Sequence, residues 1–311
     1  MPDLLFHVGT SRTATTVLQK HLFPNLERHL VVAKPAYRSS LKALPNSESK
    51  FDPQAIAHYL SSPSLLTTAT QCTEFATAAL FPASVLATAP VPIWHGWAHR
   101  RCLQRVVNVM VQRSQLMQQP VLVSSERLTE TRESILGHSG GSKTQLSREF
   151  PVFPLCRAVR RSSHPGRAIV LIVLRDPLAF LVSKYFRLVR MRAKKKKASL
   201  TPEQFILNQA LLEQKRPGTS ALSLACHVSL VSSLKSVADT RPIGFKALLN
   251  STDVAATLSL NGEKPRAFSD FPSENLAHQN PGLVQDVSQI IQTTLVRQKW
   301  WETVNDQKMF D

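Results

Sequence analysis

One stretch near the start of this 311-residue chain constrains its fold more than any other. A short apolar run at residues 4–8 predicts a buried strand, and Gly9 then begins a turn rich in small and hydroxyl residues. Apolar residues recur at helical spacing afterwards, which predicts a helix from about Thr13 to Leu22. A strand, a tight turn and a helix in this order point free backbone N–H groups and a positive helix dipole at an anion. The stretch therefore predicts a phosphate- or sulfate-binding loop.

The side chains of this turn add further anion-binding groups. A fixed positive charge comes from Arg12, and hydroxyl donors come from serine and threonine. The predicted loop consists of Gly9, Thr10, Ser11, Arg12, Thr13, Ala14, Thr15 and Thr16. A nucleoside-triphosphatase loop instead reads G-x-x-x-x-G-K-[ST], whereas this chain has Thr15 where that lysine would stand. The missing lysine argues against ATP or GTP as the main ligand.

A second apolar run, residues 168–174, predicts a strand buried on both faces of a parallel sheet. It ends at Arg175, after which Asp176 is a good helix N-cap and Pro177 suits the first helical turn. Ser183 falls on the side of this helix opposite its apolar stripe. For Arg175 the alternative is an ordinary ion pair with Asp176 or another carboxylate.

Together these two segments resemble the PAPS-dependent sulfotransferases (PAPS is 3′-phosphoadenosine 5′-phosphosulfate), and most of all their bacterial-type and carbohydrate-acting members. The eight residues from Gly9 resemble the loop that binds the 5′-phosphosulfate, with Arg12 in place of the commoner lysine. Arg175 and Ser183 match the arginine and serine that hold the 3′-phosphate. The resemblance implies a doubly wound, mostly parallel α/β sheet with P-loop-like topology, flanked by helices. The resemblance covers the strand, loop and helix at each cofactor end and the strand between them, but not the acceptor-binding parts. We expect one sulfotransferase-like domain over residues 1–311, with less readable acceptor-side insertions at about 27–118 and 137–167.

The activity that this resemblance implies is transfer of a sulfuryl group from PAPS to a hydroxyl or amine acceptor, with a carbohydrate as one candidate. The product would be 3′-phosphoadenosine 5′-phosphate (PAP), and no metal is required. Such a transfer passes in line through a loose transition state that needs positioned cations and N–H donors, by analogy with phosphoryl transfer. Arg12 would stabilise the leaving phosphate, and the threonines of the loop would orient it.

A candidate general base follows the apolar run at residues 120–123, which predicts another buried strand. Many bacterial members of the resembled family carry Ser-Ser-Glu after this strand, and this chain has the same sequence, so Glu126 is the candidate. Two alternatives stay open. Glu126 can instead cap a helix or pair with a structural arginine, and a histidine of a separate aromatic cluster, His95 or His99, can be the base.

Composition adds a strong charge bias, because 38 basic residues oppose 21 acidic ones and give a net charge of +17. Such a bias favours polyanionic partners. The basic run at residues 187–197 is either a solvated helix end or a dock for a polyanionic acceptor. Nucleic acid is disfavoured as a partner, since no nucleic-acid motif is present and no aromatic residues are interleaved with these charges.

The remaining features suggest a reducing compartment. Four scattered cysteines, Cys72, Cys102, Cys156 and Cys226, indicate neither a disulfide framework nor a zinc site. No charged and apolar leader opens the sequence, and no apolar run approaches the roughly 20 residues of a membrane helix, so we expect a soluble cytoplasmic protein.

Further along the chain, the patterns predict a surface excursion over residues 137–167 and helices over about 98–116, 201–211, 220–237 and 283–301. Residues 250–281 read as a loop. The resembled family next has a strand with an aromatic-Glu-x-Leu pattern, and the comparable residues 245–249 depart from it because Lys246 stands where the glutamate would be. Two other functions remain as alternatives: a non-catalytic nucleotide- or anion-binding protein with a degenerate sulfotransferase site, and an atypical P-loop kinase.

Overall fold

A computed structural model describes the chain in ten segments. These are residues 3–9, 17–33, most of 104–129, 152–162, 166–194, 196–215, 217–218, 220–260, 262–271 and 281–304. Residues 10–16 of the predicted loop, and the two candidate histidines at 95 and 99, lie outside the described part. Only the backbone of Glu126 is described.

A five-stranded, all-parallel sheet forms the centre of the molecule, with strand order β2-β3-β1-β4-β5. The strands are β1 (Asp3–Gly9), β2 (Leu30–Ala33), β3 (Val121–Ser124), β4 (Arg167–Leu174) and β5 (Asp239–Gly244). Strands β3 and β4 are buried almost throughout, because helices cover both faces of a parallel sheet. The predicted α/β class and the three predicted strands are confirmed.

Helical segments connect these strands. The segment after the predicted loop is a π-helix at Leu18–Leu22 followed by a 3-10 turn at Phe23–Asn25, and described residues between 104 and 117 are helical. A 3-10 turn at Glu126–Thr129 follows β3. The later helices are α1 (Val152–Arg160), α2 (Pro177–Lys194), α3 (Pro202–Lys215), α4 (Ala221–Ala225), α5 (His227–Lys235), α6 (Phe245–Leu249), α7 (Val254–Thr257), α8 (Pro281–Arg297) and α9 (Trp301–Val304), with a 3-10 turn at Phe268–Asp270.

Two hydrophobic layers sit on opposite faces of the sheet, because successive side chains of a strand point to opposite sides. Leu4 and Phe6 of β1 face a layer that includes α1, α2 and α5. Leu5 faces the other layer, formed by residues 17–23, α7 and the 3-10 turn before Phe271. Crossovers between parallel strands are right-handed, and the connection from β1 to β2 runs across the sheet in the opposite direction to the later connections. The segment after β1 therefore lies on the opposite face from the later crossover helices.

The structure differs from the predicted surface excursion at residues 137–167, because α1 packs into the core through Val152, Leu155 and Cys156. Three glycines at residues 137–141 and three prolines in this region suggested a loop. Pro154, however, lies in the first turn of α1, where a missing N–H and a fixed φ are tolerated. The described part of the region is therefore a core helix.

The region from residue 220 to 249 corrects one prediction. A single helix over 220–237 is wrong, because α4 and α5 are separated at Cys226, whose backbone leaves the helical region. Residues 245–249, which depart from the strand pattern of the resembled family, form α6, and the strand β5 precedes them. β5 is an edge strand that includes Arg241 and Pro242, so it lacks the apolar pattern of a buried strand.

Candidate functional site

The carboxyl ends of three neighbouring strands meet at one edge of the sheet. Gly9 at the end of β1 is level with Val173 of β4, and His7 of β1 is level with Ser124 at the end of β3. Arg175 follows Val173 by two residues on the strand next to β1. With about 4.8 Å between strands and 3.3 Å per residue, the Cα atoms of Gly9 and Arg175 lie roughly 8 Å apart. The two sequence motifs therefore share one edge of the fold.

The topology opens a crevice at this place. From β1 the chain crosses towards β2, and from β4 it crosses in the opposite direction towards β5. In open α/β sheets ligands bind where neighbouring strands diverge in this way, outside their carboxyl ends. Gly9 and Arg175 flank that position. Two residues after Ser124, Glu126 begins its 3-10 turn at the same edge, on the far side of β1.

Arg175 is a half-buried cation at this edge. Its guanidinium carbon lies 5.5 Å from the ring centroid of Phe245, the first residue of α6. Burial lowers the pKa of Arg175, while the charge of Asp176 opposes that shift. An arginine nevertheless keeps its proton at neutral pH, so part of a positive charge is withdrawn from water here. A bound anion would compensate for that lost hydration.

The helix that follows Arg175 begins as its sequence predicted. Asp176 caps α2 by accepting a hydrogen bond at 2.7 Å from the backbone N–H of Ala179. Ser183 is half-buried and lies about 9 Å along the helix from Pro177, at 1.5 Å per residue. Tyr185, which matches the aromatic of the resembled motif, instead packs in the core and donates its hydroxyl to the carbonyl of Leu200 at 2.9 Å.

A buried polar cluster lies beneath the same edge, where the sequence predicted nothing. His7 Nδ1 and Ser124 Oγ are 2.8 Å apart on neighbouring strands. The amide nitrogen of Gln19, from the π-helix, donates to both the carbonyl oxygen and Oγ of Ser124 at 3.0 Å. Because a carbonyl oxygen can only accept, this contact fixes the orientation of the Gln19 amide. The cluster joins β1, β3 and the first helical segment directly.

This cluster is costly to the fold. Burial lowers the pKa of His7 to about 3, so its ring is neutral at physiological pH. Its Nε2 atom and Oε1 of Gln19 are buried and have no hydrogen-bond partner among the residues that the structure describes. Each such atom costs about 1–3 kcal/mol, whereas apolar residues would avoid the penalty. Polar residues kept at such a cost often belong to functional sites.

A second buried histidine approaches from the other side. His227 begins α5, and burial lowers its pKa to about 4 while the charge of Asp176 opposes this shift. This electrostatic coupling places the start of α5 near the start of α2, at the carboxyl edge. His7 falls inside the predicted buried strand at residues 4–8, but its hydrogen-bond partners come from distant segments, and nothing in the local pattern marked His227.

Other chemistries find little support in the part of the chain that the structure describes. Within those residues, no group of three His, Cys, Asp or Glu side chains could hold a metal ion. Cys156 and Cys226 are free and buried, and burial raises the pKa of each thiol to about 12. None of the described helices is long and apolar enough to cross a membrane.

Comparison with known proteins finds no matching family model, no similar curated protein and no similar solved structure. The likeness to sulfotransferases therefore rests on the residues of the two motifs and on their placement. Of these residues, Gly9, Arg175 and Ser183 lie in the described part of the chain. The loop from Thr10 to Thr16 and the side chain of Glu126 remain sequence predictions.

Proposed function

We propose that this protein transfers a sulfuryl group from PAPS to a hydroxyl or amine acceptor. The observation that carries the proposal is the shared sheet edge of Gly9 and Arg175, the two residues that open the separate halves of the resembled cofactor site. All strands of a parallel sheet end at one edge, so the specific support is that the two motifs follow strands β1 and β4, which are direct neighbours in the sheet. The proposal includes a P-loop-like topology and a soluble, cytoplasmic protein.

The strand order supports this topology over two other nucleotide-binding arrangements. Dinucleotide-binding folds have the order 3-2-1-4-5-6 and flavodoxin-like folds have 2-1-3-4-5. Here β1 lies between β3 and β4, so the loop after β1 is flanked by the ends of both. That arrangement lets one loop face a base on β3 and a 3′-phosphate ligand on β4.

In the proposed mechanism, each residue acts on a different part of PAPS. The N–H groups after Gly9 and the guanidinium of Arg12 stabilise the charge that develops on the leaving 5′-phosphate. Thr13, Thr15 and Thr16 orient that phosphate, and Arg175 and Ser183 bind the 3′-phosphate. Glu126 accepts the proton of the acceptor as the S–O bond forms.

The buried polar cluster supports the loop and the base together. Gln19 lies just beyond the loop, and its amide holds Ser124, two residues before Glu126. A hydrogen-bonded link of this kind restrains the spacing between the leaving group and the base. Restraint of that spacing is what an in-line transfer requires, because misplacement by about 1 Å can lower the rate on the order of 100-fold.

Sulfate transfer from radiolabelled PAPS to a panel of sugars, phenols, alcohols and amines tests this activity. Arg12→Ala should lower the rate at least about ten-fold, because one donor to a developing oxyanion contributes 10²–10³. Glu126→Gln should lower the rate while leaving PAP affinity within about two-fold, since a base acts only on the acceptor. A wild-type rate in Arg12→Ala would contradict the mechanism. PAP binding without turnover on any acceptor would favour the non-catalytic alternative.

A further inference from the structure

The opposite, amino-terminal edge of the sheet collects the ends of three helices. Helix α2 has 18 residues and spans about 27 Å, while β4 has 8 residues and spans about 26 Å. α2 follows β4 and runs back along it, so its last turn lies level with the start of β4. Helices α1 and α5 end just before β4 and β5, and Arg160 of α1 donates to the carbonyl of Ser236 after α5 at 2.9 Å.

Positive charge is concentrated at this edge. The exposed lysines and arginines at these three helix ends, which we call the amino-edge basic surface, are Arg160, Arg161, Arg190, Lys194, Lys196, Lys197 and Lys235. Two acidic residues at this edge already form ion pairs with arginines. Asp3 pairs with Arg167 at 2.8 Å, and Asp239 pairs with Arg241 at 3.1 Å. Glu203, near the start of α3, is an exposed acid close to the surface in sequence.

The lysines of this surface are held in a defined turn. After α2 the N–H of Lys197 bonds the carbonyl of Arg192 and the N–H of Lys196 bonds that of Ala193, both at 3.0 Å. These two bonds form a Schellman motif, in which Lys196 takes the left-handed position with φ of 52°. Glycine is strongly preferred there because it has no Cβ. The chain therefore places a lysine where glycine would be less strained.

Four of the seven cations on this surface are lysines, and one of its three arginines is already engaged. The Nη1 group of Arg160 donates to the carbonyl of Ser236, and beside the surface Nε of Arg192 donates to the carbonyl of Ala198 at 2.6 Å. Lysine presents a compact charge on a flexible stem, without the planar fork that arginine uses for a bidentate phosphate contact. The surface therefore fits a diffuse negative field better than one precisely shaped ligand.

We propose that the amino-edge basic surface docks on an anionic lipid membrane. Clusters of four to eight basic residues bind such surfaces electrostatically. No Phe, Tyr or Trp occurs in residues 157–167, 187–203 or 232–241, so the main base-stacking side chains of single-stranded nucleic-acid sites are lacking there. Docking in this orientation leaves the carboxyl edge of the sheet facing solution. The basic run at 187–197 then lies about one helix length from the transfer site and does not hold the reacting acceptor group.

The test is co-sedimentation of the full chain with vesicles that contain phosphatidylserine, with phosphatidylcholine vesicles for comparison. The variant Lys194→Gln/Lys196→Gly/Lys197→Gln removes three charges and gives Lys196 the residue that its backbone prefers. Near an anionic surface each charge contributes roughly five-fold to binding, so the partition coefficient should fall on the order of 100-fold. Added salt should weaken wild-type binding, because it screens exposed charges.

A matched control removes the same charge elsewhere. Lys215→Gln/Lys246→Gln/Lys299→Gly changes lysines at the end of α3, in α6 and after α8, including a second left-handed lysine with φ of 59°. These placements put the control away from the amino edge. Helix α6 follows the carboxyl end of β5, and α9, which begins just after Lys299, contacts α4 beside the start of α5. Binding by this control should stay within about three-fold of the wild type if surface position, rather than net charge, decides it.

Four results would overturn the proposal. Equal losses in the two triple variants would show that only net charge matters. Wild-type binding in the amino-edge variant, or no preference for phosphatidylserine vesicles, would exclude the surface as a membrane dock. Lysine-dependent binding of duplex DNA, RNA or a sulfated polysaccharide without vesicle binding would assign the surface to that polyanion. None of these results depends on PAPS, so each is separable from a failure of the proposed activity.

Discussion

Arg175 and His7 occupy the same edge of the sheet, and burial acts on their charged forms in the same direction. Burial disfavours both cations, but an arginine retains its proton while His7 loses it entirely at neutral pH. Arg175 therefore brings a partly desolvated charge that an anion can stabilise. His7 brings a neutral, hydrogen-bonding ring that supports the strands beneath.

The two buried histidines predict a loss of stability in weak acid. Their folded-state pKa values, about 3 for His7 and about 4 for His227, lie below the ordinary value of 6.5. The unfolded chain therefore binds more protons below pH 6.5, and stability falls as the pH falls. Between pH 7 and pH 5 the free energy of unfolding should drop by about 4 kcal/mol, about 2 from each histidine. Urea titrations at several pH values measure this drop.

The variant His7→Asn separates the two contributions. Asparagine retains a polar atom near Ser124 but cannot titrate, so the drop between pH 7 and pH 5 should shrink to about half of the wild-type value. Glu263 does not contribute to the drop between pH 7 and pH 5. Burial raises the pKa of Glu263, but hydrogen bonds from His29 and two backbone N–H groups outweigh burial and lower it below the ordinary 4.5. The contribution of Glu263 to stability is therefore lost only at lower pH. An unchanged drop in His7→Asn would contradict the account of His7.

Some residue-scale features were readable from the sequence and others were not. The predicted Asp176 cap is confirmed, and the predicted helix from residue 201 begins with a capping box in which Thr201 and Gln204 exchange hydrogen bonds of 3.0 and 3.2 Å. Capping depends on residue type at a fixed local spacing, which a sequence displays. The His7–Ser124–Gln19 cluster depends on pairing between distant strands, which a single sequence does not display.

At the scale of elements, the end of α2 is a strained helix terminus. Lys196 adopts a left-handed backbone that costs a non-glycine residue about 1 kcal/mol. Lys196→Gly should therefore raise the free energy of unfolding by about 0.5 kcal/mol, after allowance for the greater freedom of glycine in the unfolded chain. Lys194→Gly, two residues earlier within the helix, should instead lower it by about 1 kcal/mol. Urea denaturation of both variants would show opposite signs, and equal signs would contradict the cap.

Element prediction succeeded where burial on both faces produced long apolar runs, as in β1, β3 and β4. It failed for β5, which lies at the sheet edge and includes Arg241 and Pro242. It also failed for α1, whose proline lies harmlessly in the first turn. The break between α4 and α5 at Cys226 has no local sequence signal, since neither glycine nor proline occurs there.

At the scale of the whole molecule, the two edges of the sheet have different roles in our account. The carboxyl edge carries the predicted cofactor site, while the amino edge carries the exposed positive charge. The sequence indicated both a nucleotide site and a basic run, but it could not place them on opposite edges. That placement follows from the parallel sheet, in which α2 runs back along β4 while α1 and α5 end just before β4 and β5 begin.

The most direct test of the central claim is a calorimetric titration with PAP, 5′-AMP and ATP in the absence of magnesium. We predict micromolar binding of PAP that requires the 3′-phosphate, with much weaker binding of 5′-AMP. Arg175→Ala should abolish that preference, whereas Arg190→Ala, an exposed arginine further along α2, should retain it. Binding of ATP alone, no binding of PAP, or an unchanged preference in Arg175→Ala would contradict the account.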